Sequence, residues 1–468
     1  MIQKRTKVVC TLGPASEDKK TIERMVKAGM NVARLNFSHG TYENFKMIIK
    51  NVREVSKKLG KPVAILQDLQ GLKIRVGKMP KNGLPVKNGD RLTITTREVE
   101  GKKGLVPSQY KNLAKDVHKG DIIFIEDGLI ELKVLSKQGE NIKCRVVEGG
   151  IIKSNKGINV PTATITANPM TAKDKKDLEF GIKHDVDWVA LSFVMSEKDV
   201  LHLRKLIQAK KSKARIIAKI ERQEAVQNMR KIIKAADGVM VARGDLGIEI
   251  SPEMVPIIQK KIIKLANRYG KPVITATQML QSMVEKPIAT RAEISDAANA
   301  VFDNTDALML SNESAVGKYP VDATETLSKV ARTVEHELSK NEDLKPITIK
   351  EHDIPIANAT CLNAAKLARD IDAHYIVAVT GSGFTAQHIV KHRLYTPVIT
   401  ITNSEKVRNQ LALVWGLNEI HVHEISLKNI TSDIKTFIRE KKLVKKGSEV
   451  VIVCNASKKH KLISTVIA

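Results

Sequence analysis

Charged and polar side chains occupy alternate positions of one short predicted strand near the N-terminus. Arg34, Asn36 and Ser38 are separated by apolar residues, and the pleat of a strand turns alternate side chains to the same face. A guanidinium binds a phosphate group through two parallel hydrogen bonds, and amide and hydroxyl oxygens can ligate a cation. A strand with a merely polar surface face explains the same pattern, so the spacing alone leaves both interpretations open.

A second set of charged residues ends two later predicted strands. Lys219 and Glu221 follow three apolar residues, and a lysine is costly to bury unless it is paired or used in chemistry. The next strand ends in Arg243, Gly244 and Asp245, where the glycine lets the backbone approach a ligand closely. Glu221 and Asp245 would supply two oxygen ligands to a divalent cation that keeps water or substrate oxygens in its other positions. A structural cluster of ion pairs is the alternative.

Hydroxyl groups and one more carboxylate follow the last two predicted strands. Thr277 comes after the seventh strand, and Ser311 and Glu313 come after the eighth. Each residue is weak evidence by itself. Because the carboxyl ends of the strands of a parallel barrel meet at one rim, their convergence indicates a single site.

Eight short apolar runs, most of them separated by helical patterns, would position these residues. Strands that alternate with helices indicate βα units and a parallel sheet. Eight such units predict an α/β fold of the (β/α)8 TIM-barrel type, with the site at the carboxyl ends of the strands. An open doubly wound sheet fits the same alternation. The runs span residues 8–11, 32–38, 63–68, 188–193, 215–221, 239–243, 273–277 and 307–311.

Two breaks in this alternation predict further domains. Residues 71–170 are rich in Gly, Lys and short β runs without a helical period, which predicts an inserted small β-barrel domain, a lid above the barrel mouth. Residues 340–355 are polar with two prolines and predict a linker. A smaller α/β unit follows, with strands at 375–380, 397–402, 419–422 and 450–454. We therefore predict a catalytic barrel over 1–70 and 171–340, the lid over 71–170 and a C-terminal α/β regulatory domain over 341–468.

The composition narrows the class of protein. The chain has 468 residues and a formal net charge of +27, which favours anionic partners, but its lysines are spread over the whole chain and aromatic residues make up 3%. We therefore expect a solvated basic surface and no nucleic-acid partner. No apolar run approaches the roughly 18 residues of a membrane span, and the four cysteines are far apart without a metal-binding spacing. The expected class is a reduced, cytoplasmic protein with no membrane partner.

Longer motifs carry a resemblance to a known family. Nearly the whole chain resembles pyruvate kinases, through TLGPAS at 11–16, ARLNFSHG at 33–40, AKIE at 218–221, VARGDLGIEI at 241–250, ATQML at 276–280 and TRAEISDAANAV at 290–301. The resemblance implies transfer of the phosphoryl group of phosphoenolpyruvate to ADP, giving pyruvate and ATP in the last step of glycolysis. It also implies a homotetramer.

The resemblance implies roles for the candidate residues. Glu221 and Asp245 would hold Mg²⁺ or Mn²⁺, Lys219 would neutralise charge on the transferred group, and Arg34 would bind its oxygens. The amides near Gly244 and Asp245 would bind the substrate carboxylate. The proton that converts enolpyruvate to pyruvate would be relayed by Thr277, Ser311 and Glu313. The nucleotide phosphates would be contacted by His39, Arg75 and Lys173.

The residues after Asp68 depart from the pattern of potassium-dependent relatives. Lys73 stands where those relatives carry a glutamate, and this resembles the potassium-independent branch of the family. A tethered ammonium could supply the charge that K⁺ supplies elsewhere, so we expect no requirement for K⁺. A residual monovalent-cation site would be formed by Asn36, Ser38, Asp68 and Leu69.

A loop in the C-terminal unit resembles the family's site for an effector 6-phosphate, and its candidate residues are Thr380, Ser382, Gly383 and Thr385. Hydroxyls and amides at a helix N-terminus bind phosphate well, but a tight αβ turn explains the same glycines. Residues 454–464 lack the loop of relatives activated by fructose 1,6-bisphosphate and offer Lys458, Lys459 and Lys461 instead. We therefore expect a sugar monophosphate or nucleotide effector at least as much as the bisphosphate.

Two other functions fit parts of the sequence. A lyase or aldolase on the same barrel would use Mg²⁺ and a pyruvate enolate but needs no ADP site, and Arg75, Lys173 and the insert argue against it. A nucleic-acid-binding protein is suggested by the net charge alone. Coupled formation of pyruvate from phosphoenolpyruvate and ADP distinguishes a kinase from both.

Overall fold

A closed ring of eight parallel strands forms the centre of the structure, a computed structural model that describes residues 3–166, 169–340, 356–425, 429–455 and 461–468. Three of these strands precede the insert. In chain order the first elements are β1 (Lys7–Thr11), α1 (Lys19–Ala28), β2 (Val32–Asn36), α2 (Tyr42–Leu59) and β3 (Ala64–Asp68).

A β insert with one short helix follows β3, as predicted apart from the helix, and has a hydrophobic core of its own. Its main sheet has the strand order β11-β7-β8-β9-β5-β6, and β4 pairs with β10 in a second, two-stranded sheet. The elements are β4 (Leu84–Val86), β5 (Arg91–Thr95), β6 (Leu105–Pro107), α3 (Leu113–Asp116), β7 (Ile122–Ile125), β8 (Ile130–Gln138), β9 (Asn141–Glu148), β10 (Gly150–Ile152) and β11 (Ile158–Asn159).

Single bridges, rather than a continuous ladder, join the two edges of the six-stranded sheet of the insert. Arg75 pairs with Gly157 beside β11, and Val76 pairs with Ser108 beside β6. Residues 75 and 76 also lead the chain from the barrel into the insert. Each of them makes a single bridge to one edge of the sheet. The predicted small β-barrel is therefore joined across its edges at this one place.

Along the chain, the other five barrel strands follow the insert and precede the long helix α12 (Pro320–Lys340). The ring has the order β1-β16-β15-β14-β13-β12-β3-β2, and the pairing of β1 with β16 closes it. All eight predicted strands and the TIM barrel are confirmed, and closure excludes the open sheet. The elements are α4 (Ala172–Lys183), β12 (Trp188–Leu191), α5 (Glu197–Ala209), β13 (Arg215–Ile220), α6 (Gln223–Gln227), α7 (Met229–Ala235), β14 (Gly238–Ala242), α8 (Arg243–Glu249), α9 (Val255–Tyr269), β15 (Val273–Ala276), α10 (Arg291–Phe302), β16 (Ala307–Leu310), α11 (Asn312–Ala315) and α12 (Pro320–Lys340), with 3-10 turns at Pro252–Met254 and Gln281–Val284.

Local sequence sets the ends of the helices that face the site. Thr171 and Asp174 form a capping box at the start of α4, and Thr290 and Glu293 do the same for α10. Each pair satisfies backbone amides that have no partner inside the helix. These caps fix where α4 and α10 begin, and both helices start near the rim of the barrel that carries the site.

A second, mixed sheet forms the C-terminal unit, with the order β19-β18-β17-β20-β21, in which all neighbouring strands except β20 and β21 are parallel. The four predicted strands are confirmed. The fifth, β21, was not predicted, because it is an edge strand without a buried apolar run and depends on its antiparallel pairing with β20. The elements are α13 (Ile356–Asp370), β17 (Tyr375–Val379), α14 (Phe384–Val390), β18 (Val398–Thr402), α15 (Glu405–Leu411), β19 (Glu419–Val422), α16 (Ile430–Glu440), β20 (Glu449–Asn455) and β21 (Lys461–Ile467).

Some predictions concern segments outside the described residues. The linker that follows Lys340 lies outside the described residues, and so do Lys458 and Lys459. The proposed domain boundaries remain predictions, although the three groups of strands follow the same order along the chain.

The C-terminal unit covers the amino-terminal end of the barrel. Leu413 is fully buried in one hydrophobic cluster with residues that line the barrel interior. The indole Nε1 of Trp188, at the start of β12, donates to the carbonyl of Gln410 at 3.2 Å. Arg393 lies 3.2 Å from the Asp306 carboxylate, just before β16. The opposite end, which we call the barrel mouth, faces the insert.

Leu413→Ala should loosen the junction between the barrel and the C-terminal unit. Removal of a buried leucine side chain typically costs about 2–5 kcal/mol, because it leaves a cavity. Both tryptophans of the chain, Trp188 and Trp415, are buried at this junction. Urea unfolding followed by tryptophan fluorescence should therefore show a lower midpoint.

Leu201→Ala is the matched control, since Leu201 lies on α5 and is 45% exposed. It should leave the unfolding midpoint almost unchanged. Equal midpoints for Leu413→Ala and Leu201→Ala would contradict this account of the junction.

Candidate active site

An ion-pair network crosses the mouth over four adjacent strands of the ring. Arg34 on β2 donates through Nε to Asp68 Oδ2 on β3 at 2.7 Å. Lys219 on β13 contacts Asp68 Oδ1 at 3.3 Å and donates to the Ser192 hydroxyl, after β12, at 2.8 Å. Lys219 Nζ also lies 3.0 Å from Glu221 Oε1. The structure thus brings together the predicted Arg34, Lys219 and Glu221, and adds Ser192, which the sequence analysis missed although it lies inside the fourth predicted strand.

Burial and pairing together set the charges of this network. Burial works against ionisation of Asp68, but Lys219 and Arg34 outweigh it and lower the pKa of the carboxyl group. Burial also works against the charge on Lys219, but Asp68 and Glu221 raise the pKa of the ammonium above its ordinary value. The mouth therefore holds two buried cations, Lys219 and Arg34, with buried carboxylates between and beside them.

Glu221 and Asp245 form a pair of carboxylates beside Lys219. Glu221 Oε2 accepts the amide hydrogen bond of Phe193 at 2.8 Å, and burial, with a contribution from Asp245, raises the pKa of Glu221. Asp245, in the first turn of α8, receives Lys73 Nζ from the insert at 3.2 Å. A bound cation would relieve the effect that burial and Asp245 have on Glu221, so the two carboxylates are a suitable donor set.

This donor set fits a hard divalent cation better than a structural zinc ion. In the described part of the chain, no group of three or more His, Cys, Asp or Glu side chains could hold a metal. A closed zinc site needs four such ligands. Mg²⁺, in contrast, is commonly bound by one or two carboxylates and fills its other positions with water and substrate oxygens.

Thr277 ties the end of β15 to the start of α8. Its hydroxyl accepts the amide hydrogen bond of Gly244 at 2.8 Å and donates to the carbonyl of Ala276 at 2.6 Å. The Gly244 amide, predicted to bind a substrate carboxylate, is thus engaged by the protein. A Cβ at Gly244 would meet Thr277 at ordinary contact distance, so packing inside the protein does not demand a glycine there.

The hydrogen bonds of Glu313 and Ser311 differ from those of a simple proton relay. Glu313 is fully buried, and its two oxygens accept the amide hydrogen bonds of Leu280 at 3.1 Å and Ser311 at 2.7 Å. No hydrogen bond joins Glu313 to Thr277 in the described residues. The geometry makes Glu313 a clamp between the backbones that follow β15 and β16.

The predicted nucleotide residues lie at the mouth but do not all meet. Lys173, at the start of α4, donates to the carbonyl of Phe37 at 2.6 Å. It thereby lies beside the loop that carries His39, which is exposed. Arg75 instead donates to the carbonyl of Asn155 inside the insert at 3.1 Å.

The four residues of the predicted monovalent-cation site are neighbours, but several of their oxygens already have protein partners. Asn36 and Asp68 are paired across β2 and β3. Asn36 Oδ1 accepts the Ser38 amide at 3.2 Å, and the Leu69 carbonyl accepts the Ser192 hydroxyl at 2.8 Å. Lys73 Nζ lies 3.2 Å from Asp245 Oδ1 in the first turn of α8.

The candidate effector loop turns towards the amino-terminal end of the barrel. Thr380 and Thr385 are buried and Ser382 is exposed, and the Ser382 carbonyl accepts a hydrogen bond from Arg215, the first residue of β13. Gly383 has a φ of 84°, which favours glycine. A Cβ there would also lie 2.8 Å from the Arg215 side chain. The turn and this close approach account for Gly383 without a ligand.

The chain is similar to known proteins along almost its whole length. A family model described as pyruvate kinase, barrel domain, matches residues 3–324, and one described as pyruvate kinase, alpha/beta domain, matches residues 358–465. Pyruvate kinase 2 of Synechocystis is 44% identical over 428 residues, which cover 91% of this chain and 72% of that protein. The pyruvate kinase of Geobacillus stearothermophilus is 44% identical over 455 residues, which cover 96% and 77%. The crystal structure of a pyruvate kinase from Cryptosporidium parvum matches with a TM-score of 0.91 at 33% identity and covers 99% of this chain and 96% of its own.

Asp68→Asn should destabilise the fold strongly, because Lys219 and Arg34 would lose the buried charge between them. Removal of one partner from a buried ion pair typically costs about 3–5 kcal/mol. Since the pKa of Asp68 is lower in the folded than in the unfolded chain, the ionised carboxylate stabilises the fold above the unfolded value of about 3.9. This stabilisation is lost as the pH falls through the folded pKa.

Urea unfolding midpoints of Asp68→Asn and of the unmodified chain should therefore differ at pH 7 and pH 5 and converge in more acidic solution. Asp370→Asn, which breaks an exposed pair with Arg369, is the control and should have little effect. A variant at Asp68 as stable at pH 7 as this control would show that the network does not depend on the carboxylate.

Proposed function

The chain belongs to the pyruvate kinase family, and we propose that the ion-pair network at its barrel mouth performs the family's reaction. It is a phosphotransferase that transfers the phosphoryl group of phosphoenolpyruvate to ADP, giving pyruvate and ATP. The observation that carries the assignment to this site is the buried, charged Lys219 between Asp68 and Glu221. Phosphoryl transfer asks the protein mainly for positioning and for stabilisation of charge.

Lys219 and Arg34 would bind and stabilise the phosphoryl group during its transfer. Both cations are buried on their strands, β2 and β13, where low polarity strengthens their interaction with an anion. Asp68 holds both cations in place, since one of its oxygens contacts Arg34 and the other contacts Lys219. Their positions are therefore set before substrate binds, which lowers the reorganisation that the reaction requires.

Pyruvate kinases generally need a divalent metal, and Glu221 and Asp245 are the residues that would hold Mg²⁺ or Mn²⁺ here. A bound divalent cation supplies Lewis-acid neutralisation of charge on the phosphoryl and enolate oxygens. Support for this pair comes from the raised pKa of Glu221, which burial and the nearby Asp245 explain.

The second half of the reaction protonates the enolate of pyruvate at carbon. We assign the Thr277 hydroxyl to the end of the path that delivers this proton, together with Ser311, which directly follows the next strand, β16. Glu313 would act as a positioning residue, since both of its oxygens hold backbone amides. Gly244 and Asp245 would orient the substrate carboxylate at the start of α8.

The remaining ligands follow from the family and from the placement of basic residues. Members bind phosphoenolpyruvate and ADP, and His39, Lys173 and Arg75 would contact the nucleotide phosphates as the insert closes over the mouth. We further propose a homotetramer in the cytoplasm and a phosphorylated effector at the loop of Thr380, Ser382, Gly383 and Thr385. Among the described residues, no helix is long and apolar enough to cross a membrane.

Lys73 would replace a bound K⁺. Its ammonium reaches from the insert to Asp245 at 3.2 Å, so a fixed positive charge lies within the proposed site. Potassium independence is supported by this position, while Asn36, Ser38, Asp68 and Leu69 remain as a residual monovalent-cation site.

Lys219→Met should lower kcat by at least about 10²-fold, the effect of one preorganised charge lost from the transition state. Binding of phosphoenolpyruvate should change less, because the lost interaction belongs mainly to the transition state. The measurement is pyruvate formation from phosphoenolpyruvate and ADP in a coupled assay with Mg²⁺. Lys175→Met, an exposed lysine on α4, is the control. Near-native kcat in the Lys219 variant would remove the central assignment.

Catalysis should proceed in tetramethylammonium buffer without sodium or potassium. Lys73→Glu should create a requirement for K⁺, since it adds a negative charge that a monovalent cation can offset. Rates with and without KCl are compared at matched ionic strength, because screening alone alters binding of charged substrates. Lys78→Glu makes the same change of charge at an exposed position of the insert and should create no requirement.

Two results would count against this proposal in different ways. An unmodified enzyme that is nearly inactive without K⁺ and recovers fully with it would show that no fixed charge replaces the ion. If the unmodified enzyme and Lys73→Glu are equally indifferent to K⁺, the enzyme is potassium-independent for a reason other than Lys73.

A further inference from the structure

The backbone that follows β15 adopts a conformation that its residues disfavour. Thr277 has a φ of 69° and Gln278 a φ of 53°, so two successive non-glycine residues lie in the left-handed region. A β-branched residue such as threonine is a marked outlier there. Such backbone persists only where surrounding contacts over-determine it. The contacts that hold this segment therefore decide where the Thr277 hydroxyl lies.

Arg243 contacts this segment at several atoms with one guanidinium group. Its Nε donates to the carbonyl of Ala276 at 3.2 Å, and its Nη2 contacts the carbonyls of Thr277 at 2.7 Å and Gln278 at 3.4 Å. Three successive carbonyls thus face one planar group. Because the guanidinium donors have fixed directions, they define the orientation of each carbonyl in a way that an ammonium does not.

Asp296 holds the guanidinium from the opposite side. Nη1 of Arg243 lies 2.6 Å from Asp296 Oδ2, on α10. The arginine is therefore anchored to a helix that starts at a capping box and is not free to follow the loop. The same stretch of chain also contacts the threonine side chain, because the amide of Gly244 donates to Thr277 Oγ1 at 2.8 Å. Residues 243 and 244 restrain both the backbone and the hydroxyl of Thr277.

We propose that Arg243 is a positioning residue for the protonation half of the reaction and that Asp296 orients it. Arg243 contacts the backbone after β15 and the carboxylate of Asp296, so it acts on the reaction through Thr277. The inference rests on the proposed function, which assigns Thr277 to the proton path. Phosphoryl transfer depends on Lys219 and Arg34, which Arg243 does not contact, so the two halves of the reaction should respond differently to its loss.

The test separates the two halves of the reaction in Arg243→Lys. Protonation is followed in reverse, as exchange of the pyruvate methyl protons with D₂O in the presence of Mg²⁺ and ATP, where a C–H bond breaks to give the enolate and a deuteron returns to carbon. Phosphoryl transfer is followed as ATP formed in a single turnover by rapid quench. Methyl exchange should fall by about 10²-fold, the effect of roughly 1 Å of misplacement, while single-turnover ATP formation should change far less.

Arg204→Lys is the matched control. Arg204 also donates to a backbone carbonyl, that of Ala235, and pairs with an aspartate, Asp237. It lies on α5, away from the mouth, so both rates should stay near those of the unmodified enzyme. Asp296→Asn serves as the second variant, which keeps an acceptor but removes its charge, and should give a smaller loss of exchange with the same selectivity.

Thr277→Ala distinguishes failure of the inference from failure of the proposed function. If this variant exchanges methyl protons at the native rate, the role of Thr277 is wrong and the inference falls with it. If exchange is lost in Thr277→Ala, then adding Arg243→Lys should slow it little further, because residues that act through one another are not additive.

Three outcomes would overturn the inference while leaving the function intact. The first is native exchange in both Arg243→Lys and Asp296→Asn. The second is an equal fall of exchange and ATP formation, which would indicate a general structural role. The third is a full additional loss when Arg243→Lys is combined with Thr277→Ala, which would show that Arg243 acts independently of Thr277.

Discussion

A buried carboxylate, Asp68, holds two buried cations at the mouth of the barrel, and the rest of the site is arranged around it. Lys219 and Arg34 are both buried, and the carboxylate between them offsets the cost of burying the two charges. Asp68 can serve both because β3 lies next to β2 on one side and to β12 on the other, with β13 beyond it. The chain leaves the barrel for the insert directly after this residue, so the insert is anchored beside the same carboxylate.

The short helix α8 connects the site to the insert at both of its ends. Asp245 in its first turn receives Lys73 of the insert at 3.2 Å, and Glu249 at its last position accepts a hydrogen bond from Asn159 of β11 at 2.8 Å. The same helix begins with Arg243, which restrains the loop after β15. The candidate metal ligand, the proposed proton path and the insert therefore all lie on or contact one seven-residue helix.

The two ends of the barrel differ in polarity and in the part of the chain that covers them. The mouth is polar and faces the insert, while the opposite end is filled by apolar residues of the C-terminal unit, among them Leu413. The strand β13 spans the two ends. Its first residue, Arg215, contacts the loop of Ser382 in the C-terminal unit, and Lys219 near its last residue lies in the ion-pair network.

Sequence alone determined the features that depend on neighbours along the chain. The eight barrel strands follow from short apolar runs between helical patterns, and the shared face of alternate residues such as Arg34 and Asn36 follows from the pleat. The tertiary structure decided which oxygen faces which donor. Asp68 meets Lys219 only because β3 and β13 both pair with β12 in the ring, Glu313 turns both oxygens to backbone amides, and β21 exists through its pairing with β20. These contacts join residues far apart in sequence, and local periodicity carries no information about them.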